Sequence, residues 1–411
     1  MATMTRSTPF IALLLLVCST VLPAQRGKKT PAAADMSPPG WAEFTHYMDS
    51  SLAAGQVVGA GAVMVRDGRI VARHEFGLAD RGRNERVTDR TLFHYGSITK
   101  TLTALSILQL RDRGKLSLDD KITRYVPELR QVHDPYGMID SITIRMLLSH
   151  SAGFQNPTWP YTNGHPWEPF EPTTWNQLVA MMPYQELLFK PGSRFGYSNP
   201  GYIYLARVIE QLTGDPWETY VQKNIFAPLT LDRSYFGATP YYLAADRSNN
   251  YTIVRDSAAS IEQVRENGRD FDPGITIPNG GWNAPLNDLV TYVAFLANAS
   301  HGDSTLQRRY DTVMSRRTLE EMWQPVVSTG SRGTSTSGVG LGFFVMRDGA
   351  TTIIGHTGSQ AGFLSFLWLN PGTSTAIIAA LNTDSDVPGK PSPFGGVNER
   401  ALNLLRGTAI P

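Results

Sequence analysis

The chain has 411 residues, 41% of them hydrophobic and 18% charged, with a formal net charge of +1. That composition supplies a sizeable core and excludes a low-complexity or fibrous chain. The near-zero charge gives no electrostatic footprint for nucleic acid or for an anionic membrane surface.

The N-terminus reads as an export signal. Arg6 supplies a positive region, Ile11 to Val17 an unbroken apolar stretch, and Leu22-Pro23-Ala24 a small residue before Gln25 as a cleavage point. The predicted signal peptide is 1–24, and the predicted destination is the periplasm or the exterior. The apolar stretch is too short to span a bilayer, so no membrane span is expected after cleavage. Cys18 is the sole cysteine, and Val17 before it is not the small residue that lipidation favours. Its removal would leave a mature chain without thiol or disulfide chemistry. Residues 25–39, rich in Pro, Ala and Lys, are expected to form a linker.

Trp41, Phe44, Tyr47, Met48 and Leu52 recur at helical spacing, which predicts a helix over Trp41 to Ala54. Two apolar runs follow, Val57 to Val65 and Ile70 to Phe76, joined by the hairpin signal Asp67-Gly68. Thr101 to Leu110 is rich in Leu, Ile and Ala and free of Gly and Pro, so a buried helix is predicted there, with Gly96 where it begins. Residues 115–300 read as helices and long loops. Helices are expected at 201–213, 216–226 and about 286–298, with an aromatic loop at 155–175 and an irregular polar stretch at 237–280. Strands return at Leu341 to Met346, Thr351 to Ile354, Phe363 to Leu369 and Thr375 to Leu381, and a last helix at about Val397 to Leu405. The Ser/Thr/Gly segment Ser328 to Ser337 reads as a flexible loop. Strands at both ends and helices between them predict an α/β (α+β) fold. One antiparallel sheet would be built from both chain ends, with a mainly helical lobe, about 115–300, inserted into it.

Ser97 and Lys100 are three residues apart, so they share one face of the first helical turn. A serine attacks a carbonyl only when a neighbour takes its proton. A lysine held out of water can be pushed toward neutrality and serve. Alone, Ser-x-x-Lys is a chance match. Two further motifs follow in order: Tyr197-Ser198-Asn199 in a loop, and His356-Thr357-Gly358-Ser359 at a strand end. Ser-x-x-Lys, Tyr-Ser-Asn and His-Thr-Gly together resemble the penicillin-recognising serine hydrolases. These include class C β-lactamases, D-alanyl-D-alanine carboxypeptidases, D-aminopeptidases and related esterases. Leu147 to Gly153, Gly280 to Leu289 and Gly340-Leu341-Gly342 fall where that family has comparable segments, and the resemblance covers about residues 40–406.

The resemblance implies a β-lactamase/transpeptidase-like fold and a Ser97 acyl-enzyme; no His/Asp/Glu/Cys grouping has metal-ligand spacing and no phosphate loop or dinucleotide fingerprint appears, so neither metal nor cofactor is expected. It implies that Lys100 and Tyr197 handle the protons, with cationic neighbours favouring the Tyr197 phenolate. Asn199 would hold Lys100 and bind the acyl-side amide of the substrate. The backbone N–H groups of Ser97 and Ser359 would hold the oxyanion. Thr357 and Gly358 would line the strand edge, with Gly358 leaving the backbone open to substrate. His356 departs from the class C β-lactamases, which carry Lys there, and fits the carboxypeptidase branch and the esterases better. The expected substrate is a D-amino-acyl peptide, an ester or a β-lactam. A class C-like β-lactamase and a non-catalytic β-lactam or peptidoglycan sensor are the rival readings. His150 reads as a structural histidine and His94 as non-catalytic.

Overall fold

In the computed structural model the N-terminal strand Gly59–Arg66 lies between a neighbour in sequence and one from the far end of the chain. It pairs antiparallel with Arg69–Asp80 on one side and with Thr375–Leu381 on the other, setting Ala62 opposite Ala379. From there the sheet continues through Phe363–Asn370, Thr351–Gln360, Phe344–Asp348, Ser335–Val339 and Val327–Arg332, with Glu85–Arg86 at the opposite edge. Each pairing in this nine-stranded sheet is antiparallel. The expected antiparallel sheet built from both chain ends is present, flanked by helices. The structure describes residues 38–156, 172–256, 261–386 and 391–407, all within one compact unit, Ser37–Pro411. The signal, Cys18, most of the linker and most of the 155–175 loop lie outside the described residues.

Side chains alternate across a strand, so the sheet feeds two cores. Ile377 and Met64 pack with Phe44, Leu52 and Val397, which come from the helices Trp41–Ala54 and Pro393–Arg406. Ile378 and Val63 face the other way, into a larger core with Leu102, Leu105 and Leu108. Those leucines belong to the helix Lys100–Asp112, in which every residue from Lys100 to Leu110 is buried. This helix is therefore a rigid post through the molecule, and it carries Lys100 on its first turn. Truncating Leu102 or Leu105 to Ala would cost about 2–5 kcal/mol.

The helices expected at 201–213, 216–226 and 286–298 appear as Asn199–Thr213, Trp217–Val221 continued by a π-helical turn Gln222–Phe226, and Leu286–Leu296. Three expectations are corrected. The segment Ser328 to Ser337 is not a loop but part of an edge hairpin, Val327–Arg332 with Ser335–Val339. Its small polar side chains need no core, because the pairing rests on backbone bonds. The 237–280 stretch contains a second hairpin, Asn250–Asp256 with Ile261–Gly268, whose first strand runs parallel to Thr383–Asp384. The strand expected from Leu341 begins only at Phe344. Leu341 and Phe343 are buried in the turn before it, where Gly342 takes a φ of +84°. Among the described residues no helix is long and apolar enough to cross a membrane.

Candidate active site

Tyr95 and Gly96 deliver Ser97 to the head of the buried helix. The Tyr95 N–H donates to the Trp282 carbonyl at 2.8 Å. Gly96 adopts φ +48°, ψ −132°, and a Cβ there would sit 2.7 Å from the Ser359 nitrogen. No side chain is compatible with both that backbone and that approach. Ser97–Thr99 then forms a 3₁₀ turn before the α-helix proper starts at Lys100. Three residues per turn eclipse positions i and i+3, which places the Lys100 Nζ 3.0 Å from Ser97 Oγ.

Lys100 is fully buried. Its amine also donates to Asn199 Oδ1 at 2.7 Å and to the Asn279 carbonyl at 2.9 Å. Burial pushes its pKa well below the ordinary lysine value. A neutral amine has two N–H donors and one lone pair. With both donors spent on the two carbonyl oxygens, the lone pair is left for the Ser97 hydroxyl. Asn199 takes Lys100 as expected. Its Nδ2 gives one hydrogen to Asn156 Oδ1 at 3.2 Å, and its Oδ1 also accepts from Asn279 Nδ2 at 3.3 Å.

Tyr197 hydrogen-bonds to Ser97, and its ring lies 4.9 Å from Lys100 Nζ. The ring is partly open to the cleft, yet desolvation around the hydroxyl dominates and raises the phenol's pKa. This corrects the expected phenolate. Burial disfavours the anion, so Tyr197 rests as a protonated phenol.

His356 is buried and lies 5.0 Å from the Phe344 ring and 6.0 Å from Tyr197, centroid to centroid. Burial first, and Lys100 second, lower its pKa to about 3. It is neutral through the physiological range. It stands with Thr357, Gly358 and Ser359 on the strand Thr351–Gln360, which pairs with Phe363–Asn370. These residues, Ser97 and Tyr197 line one cleft of about 610 Å³. Gly358 serves a different purpose from the one expected. A Cβ on it would lie 1.9 Å from the Tyr95 carbonyl oxygen, so the glycine lets the strand close on the Ser97 turn, not on substrate. The same carbonyl accepts the Ser365 hydroxyl at 3.0 Å.

Two contributors were not recognised in the sequence. Asn279 acts through its main-chain carbonyl. His150 holds Tyr197 from behind: its Nδ1 accepts from the Ser198 N–H at 3.1 Å and its carbonyl from the Gly196 N–H at 2.8 Å. Its ring lies 4.3 Å from the Tyr197 ring. It is buried and structural, as expected, but its task is to position the phenol. His94 is buried between Asn283 and Gln360, at 2.9 and 3.0 Å, away from the serine hydroxyl's partners.

A family model described as Beta-lactamase matches residues 44–395. The chain belongs to the beta-lactamase family. Protein flp of Staphylococcus aureus (strain MW2) is 24% identical over 342 residues, 82% of this chain and 62% of that protein. This chain thus spans less than two thirds of the curated relatives it matches first. Among solved structures, the octameric penicillin-binding protein homologue from Pyrococcus abyssi aligns with a TM-score of 0.73 at 24% identity, covering 90% of this chain and 78% of that one. The D-amino acid amidase from Ochrobactrum anthropi SV3 aligns at 0.68 and 22%, covering 89% and 98%. At these identities the structural likenesses establish the fold.

Proposed function

We propose that this family member is an exported serine hydrolase that cleaves an amide or ester through a Ser97 acyl-enzyme, with D-amino-acyl peptides, D-amino acid amides or small esters as its substrate class. The observation that carries the proposal is the Lys100 amine, desolvated and fixed by two carbonyl oxygens with Ser97 Oγ as its third neighbour. A scaffold without catalytic duty has no use for so costly a burial. The name of the Ochrobactrum amidase supports the D-amino acid class, and the N-terminal signal pattern supports export.

Ser97 passes its proton to Lys100 as its oxygen bonds to the substrate carbonyl carbon. The carbonyl oxygen becomes an oxyanion, held by the N–H groups of Ser97 and Ser359. Each such donor contributes about 3 kcal/mol to the transition state. The proton then travels from Lys100 through the Tyr197 hydroxyl to the departing amine or alcohol as the old bond breaks. A water molecule enters, gives its proton to the same pair and releases the acid, and the proton returns to Ser97. Tyr197 is a relay here, consistent with a raised phenol pKa.

Intact-mass measurement after rapid mixing with a p-nitrophenyl ester tests this. The expected result is a transient acyl adduct on the peptide containing Ser97, absent from Ser97→Ala, which keeps the fold. A fluorescent penicillin that acylates Ser97 and is released within seconds would favour the β-lactamase alternative. No adduct and no turnover with any ester, D-alanyl peptide or nitrocefin would refute the proposal.

A further inference from the structure

The cleft that holds Ser97 also contains two carboxylates, Asp384 and Asp386. Neither forms an ion pair with a Lys or Arg among the described residues. Asp384 Oδ1 accepts the Asp386 N–H at 3.2 Å, and Asp386 Oδ1 accepts the Ser392 hydroxyl at 2.5 Å. Each therefore keeps an oxygen with no partner among the described residues. Asp384 stands on rigid backbone, because Thr383–Asp384 runs beside Tyr251 and Thr252 and the preceding Asn382 is buried.

Among the described residues, no positive group in the lining balances these carboxylates. No described Lys or Arg faces the cleft. Lys100 is buried and held toward neutrality, and His356 is neutral down to about pH 3. Asp384 is half-buried and Asp386 exposed, so the field of the two aspartates reaches the cleft through solvent and is screened by salt. It attracts a cation and repels a carboxylate. The remaining walls are apolar, from Phe195, Phe344, Leu364 and Phe394.

We propose that Asp384 and Asp386 bind the free ammonium group of the substrate, so that the cleft selects α-amino amides and esters with an uncapped amine and a large apolar side chain. The ammonium would donate charge-assisted hydrogen bonds to the partnerless carboxylate oxygens. N-acylated substrates lose that interaction and leave the two charges uncompensated. Anionic β-lactams meet repulsion instead. This rests on the hydrolase reading of Ser97, and it names the recognition step within that reading.

The test uses the Ser97→Ala protein, which binds without turnover. Binding of D-phenylalanine amide and of its N-acetyl derivative is measured by calorimetry at low and high salt. The expected result is at least about tenfold tighter binding of the amine at low salt, with the difference shrinking as salt rises. Asp384→Asn and Asp386→Asn, singly and together, keep the Oδ1 acceptors that hold the Asp386 N–H and the Ser392 hydroxyl. They should reduce the preference to less than about threefold. Equal binding of the two compounds, or a preference untouched by both substitutions and by salt, overturns the assignment. Hydrolysis of p-nitrophenyl acetate by the unsubstituted protein is followed in parallel. If it fails while the amine preference stands, the hydrolase reading falls and the ammonium site survives; if it succeeds without the preference, the reverse holds.

Discussion

The imidazole of His150 lies 4.3 Å from the phenol ring of Tyr197, inclined by 31°, and His150 bonds to the main chain on both sides of it. The histidine itself is held at a φ of +56°, a conformation that non-glycine residues seldom adopt. A strained, buried side chain kept in that pose gives Tyr197 a fixed bearing on Ser97.

His150→Ala should therefore reduce kcat more than it changes KM. Letting the phenol drift by about 1 Å is enough for a loss on the order of 10²-fold. His150→Asn, which still accepts from the Ser198 N–H, should recover part of it. Steady-state kinetics with a p-nitrophenyl ester, alongside the melting temperature, separate the outcomes. A KM effect with kcat intact would mean that His150 shapes substrate binding instead.

Gly358 gives a sharper contrast. With its Cα facing the Tyr95 carbonyl, Gly358→Ala should push the strand away from the Ser97 turn. Overpacking of this kind costs about 1–3 kcal/mol. Both the melting temperature and kcat/KM should fall. If the glycine were open to substrate, the alanine would raise KM and leave the melting temperature unchanged.

Stability should depend on pH through histidines held neutral by burial. His94 and His356 are lowered to about 4 and about 3 from 6.5. The unfolded chain takes up protons near pH 6.5, and the folded chain does so only below about 4. Their contribution is thus fully present above pH 6.5 and is lost as pH falls through the window below it. Each adds a slope of up to about 1.4 kcal/mol per pH unit. Urea midpoints at pH 7.5, 6 and 5 should decline progressively, and less steeply in His94→Gln. Midpoints that stay level over that range would show that these rings are protonated while folded.

Much of this arrangement was legible in the sequence. Ser97, Lys100, Tyr197, Asn199 and His356 come from three separate stretches, and the fold gathers them around one serine hydroxyl. The Leu-rich helix and the strands at both chain ends announced themselves by apolar periodicity. The Val327–Val339 hairpin did not, because Ser, Thr and Gly at an edge bury no apolar face and leave no period to read. Asn279 was invisible for another reason. Its contribution is a main-chain oxygen, which any residue could provide, and only the turn before Trp282 aims it at Lys100. The protonation of Tyr197 also depended on depth: a phenol beside a lysine suggests a phenolate until burial of its hydroxyl shows that the neutral form is favoured. The Asp384 and Asp386 carboxylates lie in sequence far from each catalytic motif, and only the Thr383–Asp384 pairing with Tyr251–Thr252 brings them to the cleft.

The protonation state of Lys100 is open to direct measurement through the pH dependence of Ser97 acylation, followed under single-turnover conditions with p-nitrophenyl acetate. A buried amine with two donors already engaged should act as base well below its ordinary value of 10.5, so acylation should level off well before that pH is reached, and Lys100→Arg should lower it by on the order of 10³-fold. A rate that climbs tenfold per unit to pH 10 and beyond, or that survives Lys100→Arg, would contradict the assignment of Lys100 as the group that takes the serine proton.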